Sequence, residues 1–336
     1  MTTTDLPAQP TGTDLPERVR RFPWPFPADR YRYSANVEPA ARTVTTTAGA
    51  WGERLVDVDA DHHHELAARE QVLRADPSRC AVLAHMVPAT WDAMLFLMRE
   101  MSSGYPASFA LRRLDDGSWH WRNDLLGLEQ RFVVGNASTL PADPLRYIGA
   151  QVQEDLVLLD QREDALWADA ALVTSAADWS VNFDVGMSFL QIHGPVPRVH
   201  EEGVVPRAQQ FLLRLQPGEP YRRTNWTMTV DRRLDTATET YPQWGPDRSR
   251  LTAADVGRRL HLRVEVQHLL RLPDSGCILF LIRTHLLSLA EIAAVPAWRR
   301  QLASVLAELP QDMVDYKGLT RFRDMAVTWL QADSPQ

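Results

Sequence analysis

The stretch Trp179–Pro197 reads WSVNFDVGMSFLQIHGPVP and offers the first candidate for chemistry. If it is helical, Gly186, Leu190 and His193 stand three or four residues apart and share one face. Pro195 and Pro197 end any helix just after the histidine. A histidine at such an end, beside a Gly-Pro turn, is held by backbone, which suits an axial metal ligand that must keep one orientation. A partly buried structural histidine fits the same residues, and this stretch leaves both readings open.

Other chemistry is missing from the sequence. It has no G-x-G-x-x-G, no G-x-x-x-x-G-K-[ST], no H-E-x-x-H and no G-x-S-x-G. The chain therefore carries no dinucleotide fingerprint. Cys80 and Cys277 are far apart and form no C-x-x-C-H, so covalent c-type haem attachment and an all-cysteine iron–sulfur cluster are excluded. They read as buried apolar residues of a reducing compartment. His62, His63 and His64 are adjacent, and on a helix they point about 100° apart, so they read as a helix start rather than a metal site. The acid pairs Asp57/Asp59 and Glu201/Glu202 read as surface.

The elements that must position these residues belong to a 336-residue chain, 45% hydrophobic and 24% charged, as expected of a globular protein. With 36 basic and 43 acidic residues its formal charge is −7, which gives no footprint for nucleic acid. No apolar run is long enough to span a bilayer. Residues 1–20 read as a mobile arm, and residues 21–332 as one large domain. After Arg20-Arg21 come alternating prolines and aromatics from Phe22 to Pro27. They argue against an export signal, for a cytoplasmic protein, and for an extended strip lying on the body.

Helices are expected over Asp61–Asp76, from Asp76-Pro77 through Leu83, over Thr90–Met101, over Pro144–Gln161, and over Trp298–Leu309 and Asp312–Leu330. Asp115-Asp116-Gly117 turns a hairpin between Phe109 and Trp121. Ala168–Thr174 and Tyr221–Val230 have strand character. Leu260, Leu262, Val264 and Val266 alternate with His261, Arg263, Glu265 and Gln267, which predicts a half-buried strand with one polar face. Pro273–Gly276 turns it into an apolar return strand over Cys277–His285. The result is an α+β domain with an antiparallel sheet covered by helices.

Six pieces carry a resemblance: Gln153-Glu154-Asp155-Leu156, Asp178-Trp179, Ile192 to Pro197 (IHGPVP), Arg223-Thr224-Asn225-Trp226, the run from Leu262 (LRVEVQHLLRLPDSGCILFLIRTHL) and Asp315-Tyr316-Lys317-Gly318. In this order they resemble the haem-dependent oxidative N-demethylase family, the haem-bearing subunit of a bacterial dimethylamine-oxidising system. The resemblance implies a PAS-like fold, a b-type haem and O2 as co-substrate. It also implies an amine or specialised-metabolite substrate and electrons from a separate flavin or ferredoxin reductase. Under it His193 is the expected axial ligand, with His200 as competitor and His268 and His285 behind. Arg223, Asn225, Trp226 and Arg283 are expected to bind the cofactor, arginine being suited to propionates. Glu265 and Gln267 are the expected catalytic pair, the carboxylate anchoring an ammonium or relaying protons. An ion pair of Glu265 with Arg263 or Arg283 is the alternative. Lys317 either closes a salt bridge or meets a partner. Family members carry Glu-Arg-Gln where this chain has Glu265-Val266-Gln267, and Gly-Tyr where it has Arg198-Val199. These departures are expected to alter the site wall and favour a substrate larger than dimethylamine. A haem-based sensor or carrier is the alternative function; no output module is visible in the sequence.

Overall fold

The structure, a computed structural model, describes residues 15–198 and 201–332. Its frame is a seven-stranded sheet with β1 Glu38–Pro39, β2 Cys80–Val82, β3 Asp155–Arg162, β4 Ala165–Leu172, β5 Tyr221–Val230, β6 Leu260–Arg271 and β7 Ile278–Ser288. The spatial order is β1-β5-β6-β7-β3-β4-β2, and every pairing is antiparallel.

The β6–β7 hairpin runs in unbroken register from Arg271 opposite Ile278 to His261 opposite Ser288. Its turn is closed by Leu272 N–H donating to Cys277 O at 2.9 Å, with Gly276 at φ +72°, a region that favours glycine. Asp92 braces the turn by accepting from the backbone amides of Asp274 and Ser275. The expected polar face of β6 exists but is buried: Arg263 is 0% and Glu265 and Gln267 are 6% exposed. Both faces are covered, because segments packed over that side bring polar partners of their own.

Successive residues of a strand point to opposite faces, so the register sorts the side chains of β5, β6 and β7 into two sets. On one face Trp226, Met228, Leu262, Val264 and Leu287 meet helix Pro296–Glu308 through Trp298, Leu302 and Leu306. Further along that face Leu156, Leu158, Leu279 and Leu281 meet helix Val87–Gly104 through Met94, Leu97 and Met98. On the other face Val157, Leu159, Leu269 and Ile278 pack with Leu212 and Leu215, and with Phe189 and Ile192 beside them.

The proline–aromatic strip lies extended as expected. Trp24 stacks on Trp298 with centroids 4.6 Å apart, and Phe26 meets Trp226 edge-on at 5.1 Å. The arm expected over residues 1–20 ends sooner: Glu17–Arg20 is a helical turn and Val19 is buried. Residues 1–14 lie outside the described residues.

Three expected helices change. Asp76 does cap Pro77–Arg79, but this is one 3-10 turn, and Cys80–Val82 continues as edge strand β2. The helix expected over Pro144–Gln161 stops at Gly149, and Asp155 begins β3. A strand buried on both faces is a continuous apolar run, and over a short span it mimics helical spacing. Asp312–Leu330 is two helices, Gln311–Tyr316 and Arg323–Gln331, broken at Gly318 with φ +65°.

Candidate functional site

Gly186 and His193 do not share one helix. Gly186 sits at φ +90° in a turn, and a separate helix, Phe189–Ile192, starts at a capping box of Ser188 and Gln191. His193 is its C-cap, at the helix end as expected. Its Nδ1 lies 2.8 Å from the Phe189 carbonyl oxygen, and its ring lies against the Phe189 ring with centroids 4.2 Å apart. That bond makes Nδ1 the protonated nitrogen and leaves Nε2 bearing a lone pair with no hydrogen-bond partner among the described residues. Burial, and then the nearby Arg223 charge, lower the imidazole pKa against the opposing effect of the Phe189 bond. A neutral, backbone-oriented imidazole with a free nitrogen is what an axial iron ligand requires.

The sheet face toward His193 carries Arg223 and Asn225 on β5, Glu265 and Gln267 on β6, and Ile282 and Leu286 on β7. Arg223 is opposite Gln267, and Asn225 opposite Glu265. Arg223 donates to Gln267 Oε1 at 2.9 Å and to the Ala35 carbonyl at 3.0 Å. No carboxylate pairs with it among the described residues. Its burial lowers its pKa, against the raising effect of Glu265. Arg223 is half-buried.

Glu265 is held from several sides. Arg263 Nε donates to Oε1 at 3.3 Å, while Gln267 Nε2 at 2.9 Å and Asn225 Nδ2 at 3.4 Å reach Oε2. Of its two expected ion-pair partners, Arg263 is the one that forms. Arg263 is itself fixed by the carbonyls of Leu234 and Ser175 and by Thr284 Oγ1. Glu265 is thus a fixed carboxylate whose charge reaches Arg223 without a direct ion pair.

Lys317 donates to the Trp226 carbonyl at 2.7 Å and lies 4.7 Å from the Trp226 ring centre. It closes no salt bridge among the described residues, and burial, then Arg223, push its pKa down to about 8. The sequence reading passed over its neighbour Tyr316, which feels both Arg223 and Glu265 and whose pKa burial raises. Its signal was its place in the quoted Asp315–Gly318 element. Tyr33 was also missed: its hydroxyl donates to the Pro197 carbonyl at 2.7 Å, and the Arg198 guanidinium lies over its ring. Arg198 pairs with Asp312 at 2.9 Å, so it ties the loop after His193 to helix Gln311–Tyr316. His200 lies outside the described residues.

The same alternation removes other expected residues from this set. Trp226 turns to the opposite face, under Phe26. Arg283 and His285 do likewise on β7, since Arg283 is opposite Val266 and His285 opposite Val264. Val266 therefore does not line the wall beside Glu265; it is buried on the Arg283 side. Arg283 pairs with Asp59 and with Glu65, each at 2.7 Å. Asp59, expected at the surface, is thus half-buried in an ion pair with the buried Arg283. Burial raises its pKa, but Arg283 and Gln153 outweigh that and hold it at about 2. His62 is buried with Nε2 3.1 Å from the Gln151 carbonyl oxygen, so the histidine triplet is only in part a solvated start.

These residues fit a haem. Among the described residues the donor set offers an imidazole nitrogen without a partner and a half-buried arginine without a paired carboxylate, with Ile282 on the same sheet face. Thiolate ligation does not fit, because burial pushes the Cys80 thiol up to about 12 and raises that of Cys277. No helix among the described residues is long and apolar enough to cross a membrane. Residues 47–327 match the protein family described as haem-dependent oxidative N-demethylase, alpha subunit-like.

Proposed function

The chain belongs to the haem-dependent oxidative N-demethylase, alpha subunit-like family, and on that premise we propose that residues 21–332 form a PAS-like haem-binding oxygenase unit acting on a small amine. His193 Nε2 would hold the iron of a b-type haem, and Arg223 would take a propionate. The observation that carries this is the His193 ring, anchored through Nδ1 to the Phe189 carbonyl while Nε2 has no partner among the described residues.

When bound, the haem supplies oxygen activation and electron storage. The chain's own residues do the rest. Glu265, locked by Arg263 and Gln267, holds the substrate ammonium by charge and keeps its nitrogen in one place. Asn225 and Gln267 fix which carboxylate oxygen faces that ammonium. Lys317, with its pKa near 8, holds a proton at Nζ that it can release close to neutral pH. Electrons and O2 come from outside the chain, the electrons from a separate flavin or ferredoxin reductase, because the sequence has no dinucleotide fingerprint and no iron–sulfur cysteine set.

The test compares His193→Ala with His200→Ala after haem reconstitution. His193→Ala should lose bound haem and its Soret band, while His200→Ala keeps both; the reverse result overturns the assignment. With wild type, NAD(P)H-driven loss of an N-methyl group should require added reductase, and steady turnover without one contradicts the electron route.

A further inference from the structure

The face of β7 turned away from His193 carries a second polar cluster, outside the site described above. Asp57, Asp59 and His285 can each bring one ligand atom within 4.8 Å of the others. They line a cavity of about 100 Å³ that also touches Arg21, Glu65 and Arg283. We propose that Asp57, Asp59 and His285 bind a divalent transition cation, of the Mn2+ or Zn2+ class, on the sheet face opposite the haem site.

Charge supports it. Three carboxylates, Asp57, Asp59 and Glu65, surround two guanidiniums, Arg21 and Arg283, and burial pushes the pKa of a fourth, Glu154, up to about 7. At least one negative charge is left over, which a divalent cation answers. The nearby Asp61 is paired separately with Arg232 and adds nothing to the sum.

Unpartnered atoms give independent support. Glu154 is fully buried; its Oε1 accepts the Asp57 amide at 2.8 Å, while its Oε2 has no partner. Burial pushes the Glu154 pKa up to about 7, and a cation at Asp57, whose amide Glu154 holds, would favour its charged form. The Asp57 carboxylate uses only Oδ1, toward Arg21, and the His285 ring makes no hydrogen bond among the described residues. Two carboxylates and one imidazole form a mixed oxygen and nitrogen set that favours Mn2+, Fe2+ or Zn2+ over Mg2+ or Ca2+. In the other such group, His85 with Asp160 and Asp169, Arg162 already sits between the two acids and pairs with both, leaving one negative charge.

The experiment uses the full chain, stripped with a chelator and desalted. Mn2+ binding is followed by electron paramagnetic resonance and Zn2+ binding by calorimetry. One equivalent should bind, and Asp57→Asn and His285→Gln should each weaken binding by at least about tenfold. Thermal melting of the metal-free variants checks that they fold, and either folded variant suffices. Both should retain the haem Soret band, so failure of this proposal is distinct from failure of the haem assignment. Absence of saturable binding at millimolar metal, or binding unaffected by both substitutions, overturns the proposal.

Discussion

The two faces of β5, β6 and β7 each bury an arginine and treat it in opposite ways. Arg283 is clasped by Asp59 and Glu65, with its Nη1 also donating to the Thr284 carbonyl. Among the described residues Arg223 donates only to neutral acceptors, the Ala35 carbonyl and the Gln267 amide oxygen. A guanidinium surrounded by carboxylates has its charge answered inside the fold, so it holds the fold together. One left with neutral partners keeps a charge that an anionic ligand can answer. The histidines repeat the contrast: His193 has one nitrogen anchored and one free on the Arg223 side. On the Arg283 side burial, then Arg283 itself, push the His285 pKa down to about 4.

Substitution is the most direct way to break this comparison. In metal-free and haem-free protein, Arg283→Met strands Asp59 and Glu65 without their shared cation. Removing one partner of a buried pair costs about 3–5 kcal/mol, and the denaturant midpoint should fall accordingly. Arg223→Met should lower that midpoint far less, because no direct ion pair is lost. Its effect should appear in haem affinity, weakened about 10- to 100-fold in titration. Equal losses of stability in the two variants would mean that Arg223 is structural as well.

Much of the hairpin was legible, because strict alternation and a Pro-Asp-Ser-Gly turn act over a few residues and specify strands directly. The axial candidate was legible for the same local reason: Pro195 and Pro197 end the helix at His193. The division between faces was not read, although it follows from the period of two. Glu265 and Arg283 were grouped by type and by resemblance rather than by parity, so Arg283 and Trp226 were expected beside His193. The ionic cluster was illegible for a different reason. Asp57, Asp59 and Glu65 are far from Arg283 in sequence, and acid residues in a loop look solvated until the fold brings a buried cation to them. Ser188 and Gln191 did carry a readable signal, a capping box that marks a new helix between Gly186 and His193.

Lys317 gives the smallest predicted effect and the finest test of the same contrast. Like Arg223 it is a cation without a paired carboxylate among the described residues, but unlike arginine it can discharge. Burial, then Arg223, bring its folded pKa down to about 8 from an ordinary 10.5. Between those values the unfolded chain holds a proton that the folded chain has released. More protons on the unfolded state mean that stability rises with pH across that window. The Cys80 thiol works the other way above pH 9, since burial raises its folded pKa to about 12 and the unfolded thiol loses its proton first. The wild-type curve therefore mixes two slopes, and the difference between wild type and Lys317→Met isolates the lysine. In haem-free protein that difference should favour the variant at pH 7 by about 3 kcal/mol and shrink toward pH 10. Urea midpoints at closely spaced pH values measure it. A difference that stays constant with pH would mean that Lys317 remains charged in the folded protein, held by a partner as Arg283 is.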